Sequence, residues 1–212
     1  MCGFAGVLSL NNKKLSFDDI CAMTKVIAHR GPDDYGYSFF SLNSESEQCS
    51  TVSTDISNCG LFTSAFGFVR LSIQDLSVAG HQPMQSKDNK ISLVFNGEIY
   101  NAPELRKMLI SLGVNFKGHS DTEVLLNMYL QFGLEKMLDQ VNGMFSICIV
   151  NLFRKEVYLI RDRFGIKPLY WSKLNGQILI ASEVKSFLSY PNFVPELEHD
   201  FLDEYLTFRY LS

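Results

Sequence analysis

Residues 144–182 carry four apolar segments in close succession, and this feature limits the possible folds more than any other. They are MFSICIVNLF, EVYLIRD, PLYWSKL and QILIAS. Each is rich in β-branched or aromatic residues, and the polar links between them are of hairpin length. Each therefore reads as a strand, with neighbours running antiparallel. CGFAGVLSL, YGYSFFSL, LFTSAFGFVRLSI and ISLVF add four further strand-like segments.

Helical stretches are interspersed among them. SFDDICAMTKVIAHR places Ile20, Met23 and Ile27 on one face, and Ser16 with Asp19 resembles a capping box. Arg30-Gly31-Pro32-Asp33-Asp34 breaks that helix. Asn101 caps a second helix, with Pro103 in its first turn and Gly113 just past its end. A third runs from about Asp121 to Phe132, where Gly133 stops it. EVKSFLSY reads as a short helix and HDFLDEYLTFRYL as a final one. The segment 43–60 is Ser-rich and aperiodic, and reads as an exposed loop. Many strands with a few helices point to an α+β fold with antiparallel sheets.

The chain has 212 residues, enough for one domain or a domain with a small appendage. Nineteen Lys and Arg against 23 Asp and Glu give a net charge of −4, and no basic cluster suggests a nucleic-acid partner. Five Cys is an odd number and none forms a Cys-x-x-Cys pair, which argues against a disulfide framework or a metal site. The expectation is a reducing, cytoplasmic setting. The start lacks the basic flank of a signal peptide, and no apolar run is long enough to span a bilayer.

Cys2 is the most informative single residue. If Met1 is trimmed, Cys2 carries a thiol and a free α-amine together. The amine's reference pKa of about 7.7–8.0 leaves a useful fraction unprotonated near neutrality. One residue could then serve as nucleophile and as base. Gly3 beside it permits close backbone packing.

Four other short segments are over-specified for a scaffold. His29-Arg30-Gly31-Pro32-Asp33 reads alone as a helix stop with a salt bridge. Arg70, in a strand-like apolar run before Leu71-Ser72-Ile73-Gln74, needs a partner. A carboxylate suits a guanidinium, though an internal ion pair would satisfy it too. Asn96-Gly97 is a turn dipeptide and reads first as a hairpin. Such a turn, offering an Asn amide and a Gly N–H, would also make an oxyanion hole. Ser120-Asp121-Thr122-Glu123 is ordinary helix-start chemistry, and its carboxylates could equally hold a substrate ammonium.

In this order, MCGFAGV, HRGPDD, RLSIQDLS, FNGEIYN, SDTEVLL and RDRFGIKPLYW resemble the N-terminal glutaminase domain of asparagine synthetase-type enzymes. These are class II glutamine amidotransferases of the N-terminal-nucleophile hydrolase group. The resemblance runs from residue 2 to about 190, interrupted by the Ser-rich loop at 43–60; it implies a glutaminase domain over 1–190, with 191–212 similar to the lead-in to an ATP-dependent synthetase domain. It implies a four-layer αββα sandwich. Cys2 would attack the glutamine side-chain amide, releasing ammonia and leaving a thioester. The Asn96 amide and Gly97 N–H would hold the oxyanion. Arg70 would bind the α-carboxylate, and Asp121 with Glu98 the α-ammonium. Backbone around Ile73 and Gln74 would line the pocket.

The implied partners are L-glutamine and a synthetase domain or subunit, with a homodimer left open; neither nucleic acid nor membrane is implied. No cofactor or metal is expected in this chain, and ATP and Mg belong to the synthetase domain. Its phosphate-binding loop has no counterpart here, so the chain reads as a truncation, an excised domain or a split subunit. Two alternatives stand beside a glutaminase serving asparagine biosynthesis. One is a non-catalytic remnant that binds glutamine or a partner. The other is the glutaminase half of a related synthase that forms a β-lactam or amidates a sugar or peptide.

The sequence departs from the family in two places. Phe68 stands where many relatives carry His, and is expected to alter the pocket rim. Segment 43–60 is longer and more polar than expected, with Cys49 and Cys59 as bystanders. Cys21 and Cys148 read as buried small hydrophobes.

Overall fold

The computed structural model describes residues 1–42, 50–52 and 62–209. In chain order the elements are β1 (Gly3–Ser9), α1 (Phe17–Lys25), β2 (Asp34–Phe40), β3 (Ser50–Val52), β4 (Ser64–Arg70), β5 (Met84–Gln85), β6 (Ile91–Ile99), α2 (Ala102–Ser111), α3 (Asp121–Gln140), β7 (Gly143–Asn151), β8 (Glu156–Arg161), β9 (Tyr170–Leu174), β10 (Gln177–Ala181), α4 (Lys185–Leu188) and α5 (Leu202–Phe208). One sheet has the order β3-β2-β4-β1-β10-β9 and the other β5-β6-β7-β8. All named pairs are antiparallel.

Three apolar layers separate four layers of backbone. Val7, Ile20, Met23, Ile27 and Phe187 lie where α1 and α4 cover the six-stranded sheet. Phe4, Leu8, Phe66, Phe68, Val94, Cys148 and Val150 fill the space between the sheets. Leu93, Phe95, Leu109, Val124, Leu125 and Ile147 join the four-stranded sheet to α2 and α3. This is the αββα sandwich, and it explains the sequence of β1. Every residue of that strand is buried. A strand covered on both faces needs apolar residues at both parities, so strict alternation is lost.

Sequence and structure differ at identifiable points. The link between the second and third of the late strands is not a hairpin. β7–β8 belong to one sheet and β9–β10 to the other, so residues 162–169 cross between them. Asn96-Gly97 is not a turn: both residues lie inside β6 and pair with Ser146 and Phe145 of β7. Gly97 serves close approach instead. A β-carbon there would meet the Phe95 ring at 2.7 Å and the Phe145 Cα at 2.8 Å.

Gly133, with φ +76° and ψ 179°, stops the first helical stretch of α3 as expected, and a second stretch follows directly across the kink. Helix resumes to Gln140 because Leu134, Met137 and Leu138 continue the apolar face. Within the Ser-rich segment, residues 50–52 pair with β2 as β3, where a loop is expected; its remaining residues, including Cys49 and Cys59, lie outside the described part. Phe68 does not reach a pocket rim. It is fully buried between the sheets, because β4 turns it toward Phe4 and Val94. Cys148 is buried, whereas Cys21 is half-exposed and accepts from the Tyr37 hydroxyl at 3.6 Å. Among the described residues no helix is long and apolar enough to cross a membrane.

Candidate active site

Cys2 precedes β1 at the end where β1 lies beside the last residues of β4. Its Sγ sits 3.4 Å from the Leu71 nitrogen, within reach of that N–H, and 3.6 Å from the Leu71 carbonyl oxygen. Burial pushes the thiol above its ordinary value, against the opposing pull of the Leu71 backbone, the chain's terminal ammonium and Arg70. A thiol in this state needs a base before it can attack.

The HRGPDD segment braces this corner. Arg30 Nε–H donates to the Cys2 carbonyl at 2.9 Å, and Arg30 Nη1 bonds Glu183 at 2.9 Å. Glu183 also holds His29 at 3.0 Å and Lys185 at 2.9 Å. Burial pushes its carboxyl up, but donors from Lys185, Arg30 and His29 outweigh this and hold it at about 2. Asp33 accepts the Ser72 N–H at 2.7 Å, fastening the same segment to the chain beyond β4. The expected helix stop with a salt bridge is present, and it also reaches the cysteine.

Arg70 ends β4 and is only 7% exposed. Its guanidinium donates to the carbonyls of Ser77 and Asp75. It makes no ion pair among the described residues, so its charge is left for something else. The Asp75 carboxylate faces away, accepting from the Ser77 hydroxyl and N–H and from the His119 N–H at 2.7 Å. The Ser77 hydroxyl first, and His119 next, hold that carboxyl at about 2. Asp75 thereby ties the segment after β4 to the segment before α3.

The edge of β6 supplies a donor. Even-numbered N–H groups on β6 face β7, a parity continued by the Tyr100 N–H to the Asn142 carbonyl at 2.8 Å. Odd-numbered ones face the opposite edge, which β5 covers only at Ser92 and Leu93. Beyond it, Gln82 Oε1 accepts the Phe95 N–H at 2.7 Å and Asp121 Oδ2 accepts the Ile99 N–H at 3.1 Å. Between these, the Gly97 N–H has no partner among the described residues. The Asn96 Nδ2 is likewise buried without a partner.

Asp121 is the first residue of α3, behind Ser120, whose hydroxyl accepts the Glu123 N–H at 3.3 Å. Burial pushes the Asp121 carboxyl up to about 6; the Ile99 and Thr122 N–H groups oppose this and the Glu98 charge adds to it. Asp121 is buried and Glu98 exposed.

Cys2, Arg70, Ile73, Gln74, Gly97, Glu98 and Asp121 line one cavity of about 260 Å³. Of the residues expected from sequence, only Asn96 does not reach its wall, although it adjoins Gly97. The cavity thus offers a thiol, two cations without an ion pair among the described residues (Arg70 and Lys167), the carboxylates of Glu98 and Asp121 beside the internally bonded Asp75, and a free backbone donor. That charge pattern fits a small zwitterion.

Sequence reasoning missed Arg30 and Glu183 as supports of Cys2, Asp75 as the brace of Arg70's loop, and Gln82 and Lys167 as cavity residues. All except Gln82 and Glu183 lie in motifs already singled out. Their roles rest on contacts between segments far apart in the chain.

Comparison with known proteins follows the same line. A family model described as glutamine amidotransferase domain matches residues 55–212. The chain is 37% identical to glutamine-hydrolysing asparagine synthetase 2 of Bacillus subtilis, covering 91% of this chain and 23% of that protein. It is also 37% identical to asparagine synthetase 1 of the same organism, covering 100% and 30%. An amidase of Penicillium rubens is 34% identical over 90% of the chain and 26% of its own length. The chain therefore spans less than a third of the length of each of these three relatives. Among solved structures, the glutamine phosphoribosylpyrophosphate amidotransferase of Bacillus subtilis superposes with a TM-score of 0.70 at 21% identity. It covers 89% of this chain and 43% of that one, a likeness of fold.

Proposed function

The chain belongs to the class II glutamine amidotransferase family, and from that premise we propose that it hydrolyses the side-chain amide of glutamine to glutamate and ammonia. The observation that carries this reading is the single cavity shared by Cys2, Arg70, Gly97, Glu98 and Asp121.

The zwitterionic end of glutamine sets the orientation. Its carboxylate pairs with Arg70, where a planar guanidinium gives bidentate recognition. Its ammonium faces Asp121 and Glu98. The side-chain amide then reaches toward Cys2. With Met1 removed, the Cys2 α-amine takes the thiol proton and the sulfur attacks the amide carbon. The oxygen gains negative charge and is met by the Gly97 N–H on the cavity wall; the Asn96 Nδ2, buried next to it without a partner, would turn toward the cavity to add a second donor. One such donor is worth about 2.7–4 kcal/mol in the transition state. Collapse of the adduct breaks the C–N bond. The terminal ammonium returns its proton to the leaving nitrogen, and ammonia departs. Water, deprotonated by the same amine, then cleaves the thioester to glutamate.

The ammonia is passed to an ATP-dependent synthetase domain or subunit, which would also hold the ATP and magnesium. The much greater length of the two asparagine synthetases supports this. So does the exposed apolar surface at Leu197, Tyr205 and Leu206, near the end of the described chain. Residues 1–190 form the glutaminase domain and 191–212 the lead-in. A reducing cytoplasm suits a free catalytic thiol.

The test is intact-mass analysis of the purified protein before and after exposure to a glutamine-like electrophile, together with an ammonia assay. Loss of Met1, one adduct on Cys2 and glutamine-dependent ammonia release are expected. A processed, folded protein whose Cys2 stays unmodified and that releases no ammonia would overturn the reading.

A further inference from the structure

The crossover between β8 and β9 delivers a buried cation to the cavity, and the reaction described above assigns it no task. Lys167 is 7% exposed, yet it makes no ion pair among the described residues. Its Nζ–H donates to the Met1 sulfur at 3.4 Å. Burying an ammonium without a carboxylate is costly, and the crossover is built to hold it there. Asp162 accepts the N–H groups of Phe145, Phe164, Ile166 and Lys167. Arg161 donates to the carbonyls of Lys167 and Gly165. Burial pushes the Asp162 carboxyl up, but its four backbone donors outweigh this and hold it below the usual range.

The Met1 side chain occupies the space in front of Lys167, and Met1 is peptide-bonded to Cys2. Removing Met1 takes away the group that the Lys167 Nζ contacts and bares an α-amine on Cys2, which shares the cavity with Lys167. We propose that Lys167 is a positioning residue for charge: its ammonium keeps the processed Cys2 α-amine in the unprotonated, proton-accepting form. The inference rests on the hydrolase reading, and on loss of Met1 in particular.

The charges around that amine come from six segments of the chain. Arg30 reaches the Cys2 carbonyl, but its charge is matched by Glu183. Arg70 lines the cavity from the end of β4, Asp75 from the segment after it, its carboxylate held by Ser77 and His119, Glu98 from β6 and Asp121 from the start of α3. Bound glutamine would neutralise Arg70 with its carboxylate and the buried Asp121 with its ammonium, leaving Glu98 exposed to solvent. Lys167 is then the remaining buried cation on the cavity wall, and the acid left over, Glu98, is screened by water. A like charge disfavours protonation of its neighbour, commonly by one unit or more at close range. Without Lys167, the empty cavity presents Asp75, Glu98 and Asp121 against one Arg, a balance that favours the protonated amine.

The experiment compares mass-verified, Met1-free protein with its Lys167→Met, Lys167→Gln and Lys167→Arg variants. The Cys2 α-amine is titrated by NMR of the 13C-labelled cysteine, and the pH dependence of kcat/KM for glutamine is measured in parallel. In Lys167→Met and Lys167→Gln the amine midpoint and the ascending limb of the pH profile should both move up by about one pH unit. Lys167→Arg, which keeps the charge, should restore both. An amine midpoint unmoved in folded Met and Gln variants overturns the proposal. Titration needs no turnover, so a protein that hydrolyses glutamine normally with an unmoved amine removes the role of Lys167 and leaves the hydrolase reading standing.

Discussion

Arg30 donates its Nε–H to the carbonyl oxygen of Cys2 at 2.9 Å, and Glu183 grips the other end of that guanidinium at 2.9 Å. The proposed nucleophile is thus held by its own backbone, leaving the sulfur free to face the cavity. Glu183→Ala should loosen this hold without touching the groups proposed to bind glutamine. The expected result is a kcat lowered about tenfold to a hundredfold with KM nearly unchanged, read from steady-state kinetics. An equal rise in KM would place Glu183 in substrate binding instead.

Cys2→Ser should abolish glutamine-dependent ammonia release while leaving the fold in place. A hydroxyl fits the position beside Leu71, so circular dichroism and the melting temperature should match those of the parent. Ammonia release retained at the parental rate would refute the nucleophile assignment.

Arg70→Ala should act mainly on binding, because the guanidinium is proposed to meet the α-carboxylate and not the reacting amide. KM should rise by tenfold or more, in line with a charge-assisted hydrogen bond worth about 1.5–3 kcal/mol. Isothermal titration with glutamine and the Cys2→Ser protein checks this without turnover.

Asn96→Ala should do the reverse. The amide lacks a protein partner, so its removal leaves no buried group newly unsatisfied on the protein. Turnover should fall by about a hundredfold, with little change in binding. Glutamine affinity of a Cys2→Ser, Asn96→Ala protein separates the two effects.

Asp121 carries a linked stability and function effect. Its carboxyl is raised to about 6 in the folded chain from an ordinary 3.8. Between about pH 4 and pH 6 the folded state therefore holds a proton that the unfolded state has released, and stability falls as pH rises through that window. Asp121→Asn should remove this fall and raise stability at pH 7 by about 1–2 kcal/mol, while weakening glutamine binding. Urea denaturation across pH 4–7 measures the first effect, and titration with glutamine the second. Glu183 has the opposite sign: held at about 2 from 4.5, its stabilisation is present above about pH 4.5 and lost as pH falls toward 2.

Much of the site was legible because its chemistry sits in short, charged motifs on otherwise apolar strands. Arg70 stood out as a cation in a buried run, and Asp121 as an acid at a helix start. The role of Gly97 was misread locally. Asn-Gly favours a turn, but here the demand for a glycine comes from Phe145 of the neighbouring strand, which no local window contains. Lys167 was illegible for a related reason. RDRFGIKP reads as a tight link between strands, and only the assignment of β8 and β9 to different sheets carries it past Cys2.

The exposed margin of β6 has a consequence for behaviour in solution. A row of unused strand donors is an opening for another chain to add itself and seed aggregation. Here Gln82 and Asp121 plug that row on either side of Gly97. The gap left between them is one residue long, wide enough for a single acceptor atom and too short for a foreign strand to zip onto.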